Sequence, residues 1–208
     1  MKYYAVIDTN VIVSALITKK DGVATKRIWD FVVDGTIVPL FNSDILAEYS
    51  TVLHRAHFNI SSESVDSVLE ILRGRGISCD ATAVPFELID PDDTVFYAIS
   101  LSREDAYLIT GNLRHFPNSS RIVSPAEMLH IINQSNNRHD MLNEPQGAEY
   151  LSDYSRERIR KCQELIEKAR QQAITNGTAN MTMEEIDEEI RKARAERRAR
   201  KEKEQESL

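Results

Sequence analysis

Four places in the chain carry acidic or amide side chains where a strand is predicted to end or a helix to begin. They are Asp8, Glu48, the neighbouring pair Asp92 and Asp93, and Asn112. In an open α/β sheet the carboxyl ends of the strands share one edge, so groups that are distant in sequence can meet there. Clustered carboxylates repel one another, and a hard cation such as Mg²⁺ or Mn²⁺ relieves that repulsion through oxygen ligands. The set therefore predicts a metal site at this edge.

Each of these residues also has an ordinary structural explanation. Asp8 can cap the helix that follows its strand, and Glu48 can lie on a solvated helix face. Asp92 and Asp93 are favoured at a helix start by the helix dipole, and Asn112 follows a glycine in a typical turn sequence. The metal-site hypothesis depends on the residues taken together and in this order.

Alternating strands and helices in residues 1–133 would position these groups. Apolar, β-branched stretches predict strands at 3–7, 36–41, 106–110 and 121–124, with amphipathic or capped helices between them. This alternation favours an α/β fold with a parallel sheet flanked by helices. Pro39 predicts that the second strand ends early or lies near an edge of the sheet. Neither G-x-G-x-x-G nor a P-loop is present, so nucleotide binding of those kinds is not supported.

Composition narrows the class of protein. The chain has 208 residues, of which 41% are hydrophobic and 28% charged, as expected for a soluble protein with a core. Its two cysteines, Cys79 and Cys162, lie far apart in sequence and form no disulfide framework or metal cluster, which suits a reducing cytoplasm. No signal peptide is recognised, and no apolar run reaches the roughly 18 residues of a membrane span. We therefore expect a cytoplasmic protein without a membrane segment.

The chain beyond residue 133 has a different pattern. Residues 1–133 carry 11 Lys and Arg against 17 Asp and Glu, whereas residues 134–208 carry 15 against 16. Residues 134–148 are polar and aperiodic, which predicts a linker, and 149–208 form a predicted helical extension. In its last helix the apolar face ends at Ala193 and a basic run covers 194–203. Such a helix is not stable alone in water, so the extension either docks on a surface or is largely disordered.

Four segments of residues 1–133 together resemble a known family, the PIN domains. They read AVIDTNVIVSAL, ILAEYSTVLHR, DPDDTVFYAISL and YLITGNLRHFP. Their order and spacing are similar to those of the toxin components of bacterial toxin–antitoxin systems. The resemblance implies a three-layer sandwich, a parallel sheet between helices, and hydrolysis of RNA phosphodiester bonds with Mg²⁺ or Mn²⁺. It also implies an RNA substrate, an antitoxin partner and a homodimer, which is common in that family.

The resemblance assigns the acidic residues position by position. Asp8 matches the first metal-binding aspartate, and Glu48 matches the helix-borne glutamate. Asp93 matches the third acid, with Asp92 beside it as the alternative ligand. Asp8, Glu48 and Asp93 are therefore the expected catalytic residues.

Polar residues around these acids complete the expected site. Thr9 or Asn10 matches the small polar residue that supports the acids. Asn112 lies where many members carry a fourth acid, and it can still ligate through its carbonyl or orient a water molecule. Arg114 is a candidate for a contact with a substrate phosphate, with a solvated charge as the alternative. His115 is expected to be a loop histidine without a role, with a contact to substrate as the alternative.

The last segment, MTMEEIDEEIRKARAERRARKE, resembles the C-terminal arm of some bacterial antitoxins. In such pairs the arm lies over the toxin and can push a basic side chain into the acidic site, which here would happen within one chain. A solvated or disordered helix is the alternative. The sequence thus leaves two functions open: a toxin-like endoribonuclease, inhibited by its own tail or not, and a non-catalytic RNA-binding or complex-forming module.

Overall fold

A five-stranded parallel sheet organises the molecule. The structure, a computed structural model, describes residues 1–19, 22–140 and 153–206. The strand order is β3-β2-β1-β4-β5, and the predicted α/β class is confirmed. The strands are β1 (Tyr3–Ile7), β2 (Ile37–Phe41), β3 (Ile77–Ser78), β4 (Ala106–Ile109) and β5 (Ile122–Val123).

Eight α-helices of the described residues accompany the sheet. They are α1 (Thr9–Ile17), α2 (Ala24–Asp34), α3 (Ser43–Leu53), α4 (Ser62–Arg75), α5 (Thr94–Ser100), α6 (Pro125–Asp140), α7 (Asp153–Asn176) and α8 (Met183–Glu206). The helix α5 packs across β1, β2 and β4, whereas α2 packs against β2 and α6. The central strands are almost wholly buried, as expected for a parallel sheet covered by helices.

Side-chain caps determine where several helices begin. Asn42 Oδ1 accepts a hydrogen bond from the Ile45 N–H at 3.0 Å and opens α3. A capping box opens α8: Glu185 Oε2 accepts from the Thr182 N–H at 2.7 Å, and Thr182 Oγ1 accepts from the Glu185 N–H at 3.2 Å. The sequence Thr182 to Glu185 is sufficient to specify this box, because capping depends on residues close together in the chain.

The central strand β1 has β2 on one side and β4 on the other. The first three strands therefore extend the sheet to one side of β1, and the last two extend it to the other side. The pairing runs Tyr3 to Ile37 and Ile7 to Ile109, and the Asp8 N–H donates to the Ile109 carbonyl at 2.9 Å. Ligands of open α/β sheets bind beside such a switch point, at the carboxyl ends of the strands. The topology therefore brings Asp8 next to the residues that follow β4.

The position of β2 agrees with one of the two predicted alternatives, whereas one strand of the sheet was not predicted. β2 lies one position from the edge, with Pro39 inside it. Its outer neighbour β3 pairs only with Leu40 and Phe41, so the missing N–H of Pro39 faces no ladder partner there. β3 itself was not predicted, because its two residues carry no periodic signal.

The helix α6 extends into the predicted linker. It runs to Asp140, whereas the linker was expected to begin at residue 134. Residues 134–140 contain neither Gly nor Pro, so nothing local ends the helix. The remainder of the predicted linker, and the start of the predicted extension up to residue 152, lie outside the described residues.

The extension forms a helical hairpin that docks on the rest of the chain. α7 packs against α1 and α4, and α8 packs against α1 and α3. Between them Gly177 has φ +81°, a left-handed conformation that favours glycine at a helix end. Arg170 donates from Nε and Nη2 to the Ala15 carbonyl at 3.1 and 2.9 Å. The buried apolar residues of the hairpin include Cys162, Ile166, Ala169, Ala173, Ile186, Ile190 and Ala193.

Two further findings concern the predictions made from composition. None of the helices in the described part of the chain is both long and apolar enough to cross a bilayer. Cys79 and Cys162 are both free thiols, in agreement with the expected absence of a disulfide between them.

We expect the docked hairpin to contribute to global stability. Ile166→Ala, at a site only 1% exposed, should lower the free energy of unfolding by about 2–5 kcal/mol because it leaves a cavity in the core. Chemical denaturation measures this change. The matched control Gln172→Ala, on the exposed side of α7, should change it by less than about 0.5 kcal/mol. Equal effects of the two substitutions would show that α7 is not part of the cooperative core.

Candidate active site

Three acidic side chains from separate elements meet beyond the carboxyl ends of β1 and β4. Asp8 follows β1, Glu48 lies in α3, and Asp93 ends a short 3-10 turn just before α5. Their exposed fractions are only 4%, 6% and 3%. The structure thus buries the three residues that the sequence assigns to catalysis at one end of the sheet.

Asp8 is held by a dense set of donors. Its Oδ2 accepts from Thr110 Oγ1 at 2.6 Å and from Asn10 Nδ2 at 3.3 Å. Its Oδ1 receives a long contact, 3.5 Å, from the Asn10 N–H, so Asp8 also caps α1. The capping role and the site role suggested by the sequence therefore belong to the same side chain. Thr110 was not among the predicted site residues.

Glu48 is fixed by its neighbours in α1 and β1. Thr9 Oγ1 donates to Glu48 Oε1 at 2.8 Å, and the adjacent Tyr49 hydroxyl donates to the Ile7 carbonyl. The second bond joins α3 to the end of β1. Thr9 and Asn10 thus each hydrogen-bond to a different acid.

The acidic turn before α5 divides its side chains between the inside and the rim. Asp93 points inward, whereas the Asp92 side chain is 26% exposed and pairs with Arg198. Of the two neighbouring aspartates, Asp93 is therefore the one that is buried and Asp92 lies at the rim, because the 3-10 turn directs successive side chains to different sides. Asp90, which the sequence analysis did not single out, caps this turn through its Oδ1 and directs Oδ2 into the site.

His115 contacts the site, contrary to the expectation that it has no role. Its Nδ1 lies 2.8 Å from Asp93 Oδ2, and its Nε2 lies 2.7 Å from Asn112 Nδ2. A neutral imidazole with its proton on Nδ1 satisfies both contacts, since it donates to the carboxylate and accepts from the amide. The ligand atoms of Asp90, Asp93 and His115 lie within 4.8 Å of one another.

The extension enters the site through two charged residues of α8. Arg194 donates from Nη2 to Glu48 Oε1 at 2.7 Å and from Nη1 to Asp93 Oδ1 at 2.8 Å and Asp90 Oδ2 at 3.0 Å. Asp187 lies on the other side, near Asn112. A guanidinium therefore occupies a position among the carboxylates where a cation is electrostatically required.

The charges of the site are strongly coupled. Burial, together with the nearby Asp93 carboxylate, raises the pKa of Asp8 to about 7. Burial also raises the pKa of Glu48. Burial alone would lower the pKa of Arg194, but the carboxylates of Glu48 and Asp93 outweigh it and raise that pKa. Without a cation these acids are thus costly to ionise.

The space between the acids suits a hydrated divalent cation. A cavity of about 140 Å³ is lined by Asp8, Asn10, Asp90, Asp93, Asn112, Arg114, His115, Glu184, Asp187, Ile190, Arg191 and Arg194. A water molecule occupies about 30 Å³ in the liquid, so a metal ion with several waters fits. Arg114 lies at the exposed wall of this cavity.

The residues that the sequence analysis missed share one property. Asp90, Thr110, His115 and Asp187 all lie within segments that resemble known families, but their contacts in the site form only on folding. A signal existed for Thr110 and His115, which flank Asn112 in the same loop. Nothing local to Asp187 distinguishes it from the other acids of α8.

Comparisons with known proteins place this geometry in a family. A family model described as PIN domain matches residues 4–114, which is more than half of the chain. No curated protein and no solved structure matches the sequence. The matched residues contain Asp8, Glu48, Asp93 and Asn112, but neither Asp187 nor Arg194.

The raised pKa of Asp8 predicts a pH-dependent stability in metal-free buffer. The folded chain binds this proton with a pKa of about 7, against an ordinary value of 3.8. Binding of this proton therefore contributes to the free energy of unfolding. The contribution is fully present below the ordinary pKa of 3.8 and is lost as the pH rises through the folded-state pKa of about 7. Asp8→Asn should flatten this dependence and be more stable than wild type by about 1–4 kcal/mol at about pH 8.

Chemical denaturation in EDTA at about pH 5 and about pH 8 measures the difference. Asp66→Asn, at an exposed position of α4, is the control for removing one carboxylate. An equal pH dependence in wild type and Asp8→Asn would contradict the assignment of this proton to Asp8.

Proposed function

Because the chain belongs to the PIN domain family, we propose that it is a metal-dependent endoribonuclease of the kind that serves as toxin in bacterial toxin–antitoxin systems. The observation that carries this proposal is the burial of Asp8, Glu48 and Asp93 at one end of the sheet, with one guanidinium paired to Glu48 and Asp93. Nuclease chemistry needs such an acidic pocket to hold a cation against a phosphate. RNA as substrate follows the resemblance to the toxin branch, and a cytoplasmic location would give access to it.

The donor set fits a hard divalent ion, Mg²⁺ or Mn²⁺. Asp8, Glu48 and Asp93 offer carboxylate oxygens, and the Arg194 guanidinium marks where positive charge is stabilised. When bound, the metal polarises the scissile phosphate and lowers the pKa of a water nucleophile.

The remaining residues of the site position these ligands. Thr110 and Asn10 fix the orientation of Asp8, and His115 fixes that of Asp93. Such supporting contacts keep metal ligands in their productive geometry. Arg114, at the cavity wall, is suited to contact a phosphate of the RNA backbone.

The proposal includes self-inhibition by the extension. Arg194 contacts Glu48, Asp90 and Asp93 at once, and it is only 8% exposed. A metal ion and this guanidinium neutralise the same carboxylates, so they compete. The helix α8 also covers the cavity from which RNA would approach. In this arrangement α8 takes the part that an antitoxin arm takes in two-chain systems.

Asp8→Asn should reduce metal-dependent RNA cleavage by at least about 100-fold, since even outer-shell partners of metal ligands contribute up to that factor. The measurement is cleavage of a labelled RNA with Mn²⁺, with Mg²⁺ and with EDTA. Asp66→Asn should cleave as wild type does. Cleavage that survives in Asp8→Asn would contradict the proposed metal site.

Arg194→Gln should change activity and stability in opposite directions. Without metal it should lose about 3–5 kcal/mol of stability, because it leaves buried carboxylates without their cation. With Mn²⁺ it should cleave RNA several-fold faster than wild type, because the competing cation is gone. Arg200→Gln, at an exposed position of the same helix, is the control for removing one positive charge.

The same assay separates the alternative function. If Arg194→Gln binds Mn²⁺ and RNA but does not cleave the RNA, the protein is a non-catalytic RNA-binding module. Cleavage at the wild-type rate would instead remove the inhibitory role of Arg194 and leave the nuclease assignment in place.

A further inference from the structure

The side chain of Asp187 occupies the corner of the site opposite Arg194. Its Oδ1 accepts from Asn10 Nδ2 at 2.9 Å. The same Asn10 nitrogen donates to Asp8 Oδ2 at 3.3 Å. One amide group therefore joins the carboxylate of the extension to the carboxylate at the end of β1.

A second amide connects Asp187 to the other half of the site. Asn112 Nδ2 donates to Asp187 Oδ2 at 3.3 Å and lies 2.7 Å from His115 Nε2. His115 in turn contacts Asp93 Oδ2 through its Nδ1. Asp187 is thus connected on both sides to acids of the site, and it lines the same cavity as they do.

The charge of Asp187 is not explained by inhibition. A helix that only blocks an acidic pocket needs positive charge, whereas Asp187 brings a further carboxylate close to Asp8 and Asp93. Among the described residues, the side chains that hydrogen-bond to Asp187 are the two neutral amides of Asn10 and Asn112. The exposed Arg191, one turn further along α8, and His115 act on Asp187 only electrostatically. Amides orient a carboxylate but do not neutralise it, so a cation at this corner would stabilise the arrangement.

The geometry of α8 allows Asp187 to stay in place when Arg194 leaves. The two residues are separated by seven positions, or about two helical turns and about 10 Å along the axis, so they share one face of the helix. Ile186 and Ile190, which are 1% and 3% exposed, anchor this part of α8 in the core. A metal ion needs only the long Arg194 side chain to rotate away.

We propose that Asp187 is a metal-ligating residue, supplied by the extension to the centre formed by Asp8 and Asp93. The proposal rests on the proposed function only in using the same divalent metal. In the matched PIN region the side chains that hydrogen-bond to Asp187 are the amides of Asn10 and Asn112, which carry no charge. The extension would therefore both compete with the metal through Arg194 and bind it through Asp187.

Calorimetric titration of the full chain with Mn²⁺ tests this role without any RNA. Asp187→Asn keeps the shape and the acceptor oxygen of the side chain but removes its charge. It should weaken Mn²⁺ affinity about tenfold or more, because even the loss of a group that only supports a metal ligand has an effect of that size. Glu184→Gln removes a carboxylate from the same cavity wall and should change the affinity much less. Unchanged or tighter binding in Asp187→Asn, or an equal loss in Glu184→Gln, would overturn the proposal.

Moving the charge across the contact provides a rescue. Asn112 and Asp187 touch through their side chains, so the double variant Asn112→Asp with Asp187→Asn exchanges carboxylate and amide. This variant should regain most of the Mn²⁺ affinity. No recovery, in a protein whose melting temperature shows that it is folded, would count against ligation at this corner.

A soft metal can report the contact directly. Asp187→Cys, titrated with Cd²⁺, should develop an ultraviolet thiolate-to-metal charge-transfer band, because a coordinating thiol is deprotonated and binds soft ions. Glu184→Cys is the matched control and should not develop it, and wild type reports any signal from Cys79 and Cys162. Absence of the band in Asp187→Cys would overturn the proposal.

These results distinguish the inference from the nuclease assignment. Mn²⁺ binding that depends on Asp187, in a protein that cleaves no RNA, would support the inference and contradict the proposed function. Normal metal-dependent cleavage, together with Mn²⁺ affinity that Asp187→Asn leaves unaffected, would support the proposed function and contradict the inference.

Discussion

Mutual repulsion between buried carboxylates is the constraint on which this structure depends. Asp8, Glu48 and Asp93 come from three elements and lose nearly all contact with water. The threonines, asparagine and histidine around them are donors that orient the acids but carry little compensating charge. Burial of ionised groups without a counter-charge is among the largest costs a fold can carry. The site therefore requires a cation, and in this arrangement Arg194 is that cation.

This requirement ties the extension to the acidic end of the sheet. The apolar residues of α7 and α8 dock on α1, α3 and α4, and Arg55 adds ion pairs to Glu189 and Glu196 on α8. Hydrophobic burial holds the hairpin, while the acidic pocket determines where its arginine goes. By linkage, whatever weakens the contact of Arg194 with the acids strengthens the binding of another cation, and the converse holds equally.

Much of this arrangement is predictable from the sequence because its signals are local. The strand that delivers Asp8, the helix that carries Glu48 and the capping box of α8 each depend on a few neighbouring residues. The choice between Asp92 and Asp93 is not local, since it depends on the phase of a three-residue turn set by Asp90. The two-residue strand β3 carries no periodicity, and the contacts of His115 and Asp187 arise only when distant segments pack.

The spacing of charges along α8 distinguishes the extension from a tail that is merely basic. A helix selected only for positive charge would present lysine and arginine along the whole face that meets the pocket. Here the same face presents Asp187 first and Arg194 two turns later, so one end matches the amides of Asn10 and Asn112 and the other matches the acids. Reversing the direction of the helix would place the arginine on the amides and the aspartate on Glu48, which is electrostatically unfavourable. The alternation of charge therefore fixes the docking register of α8, and it makes the extension part of the site itself.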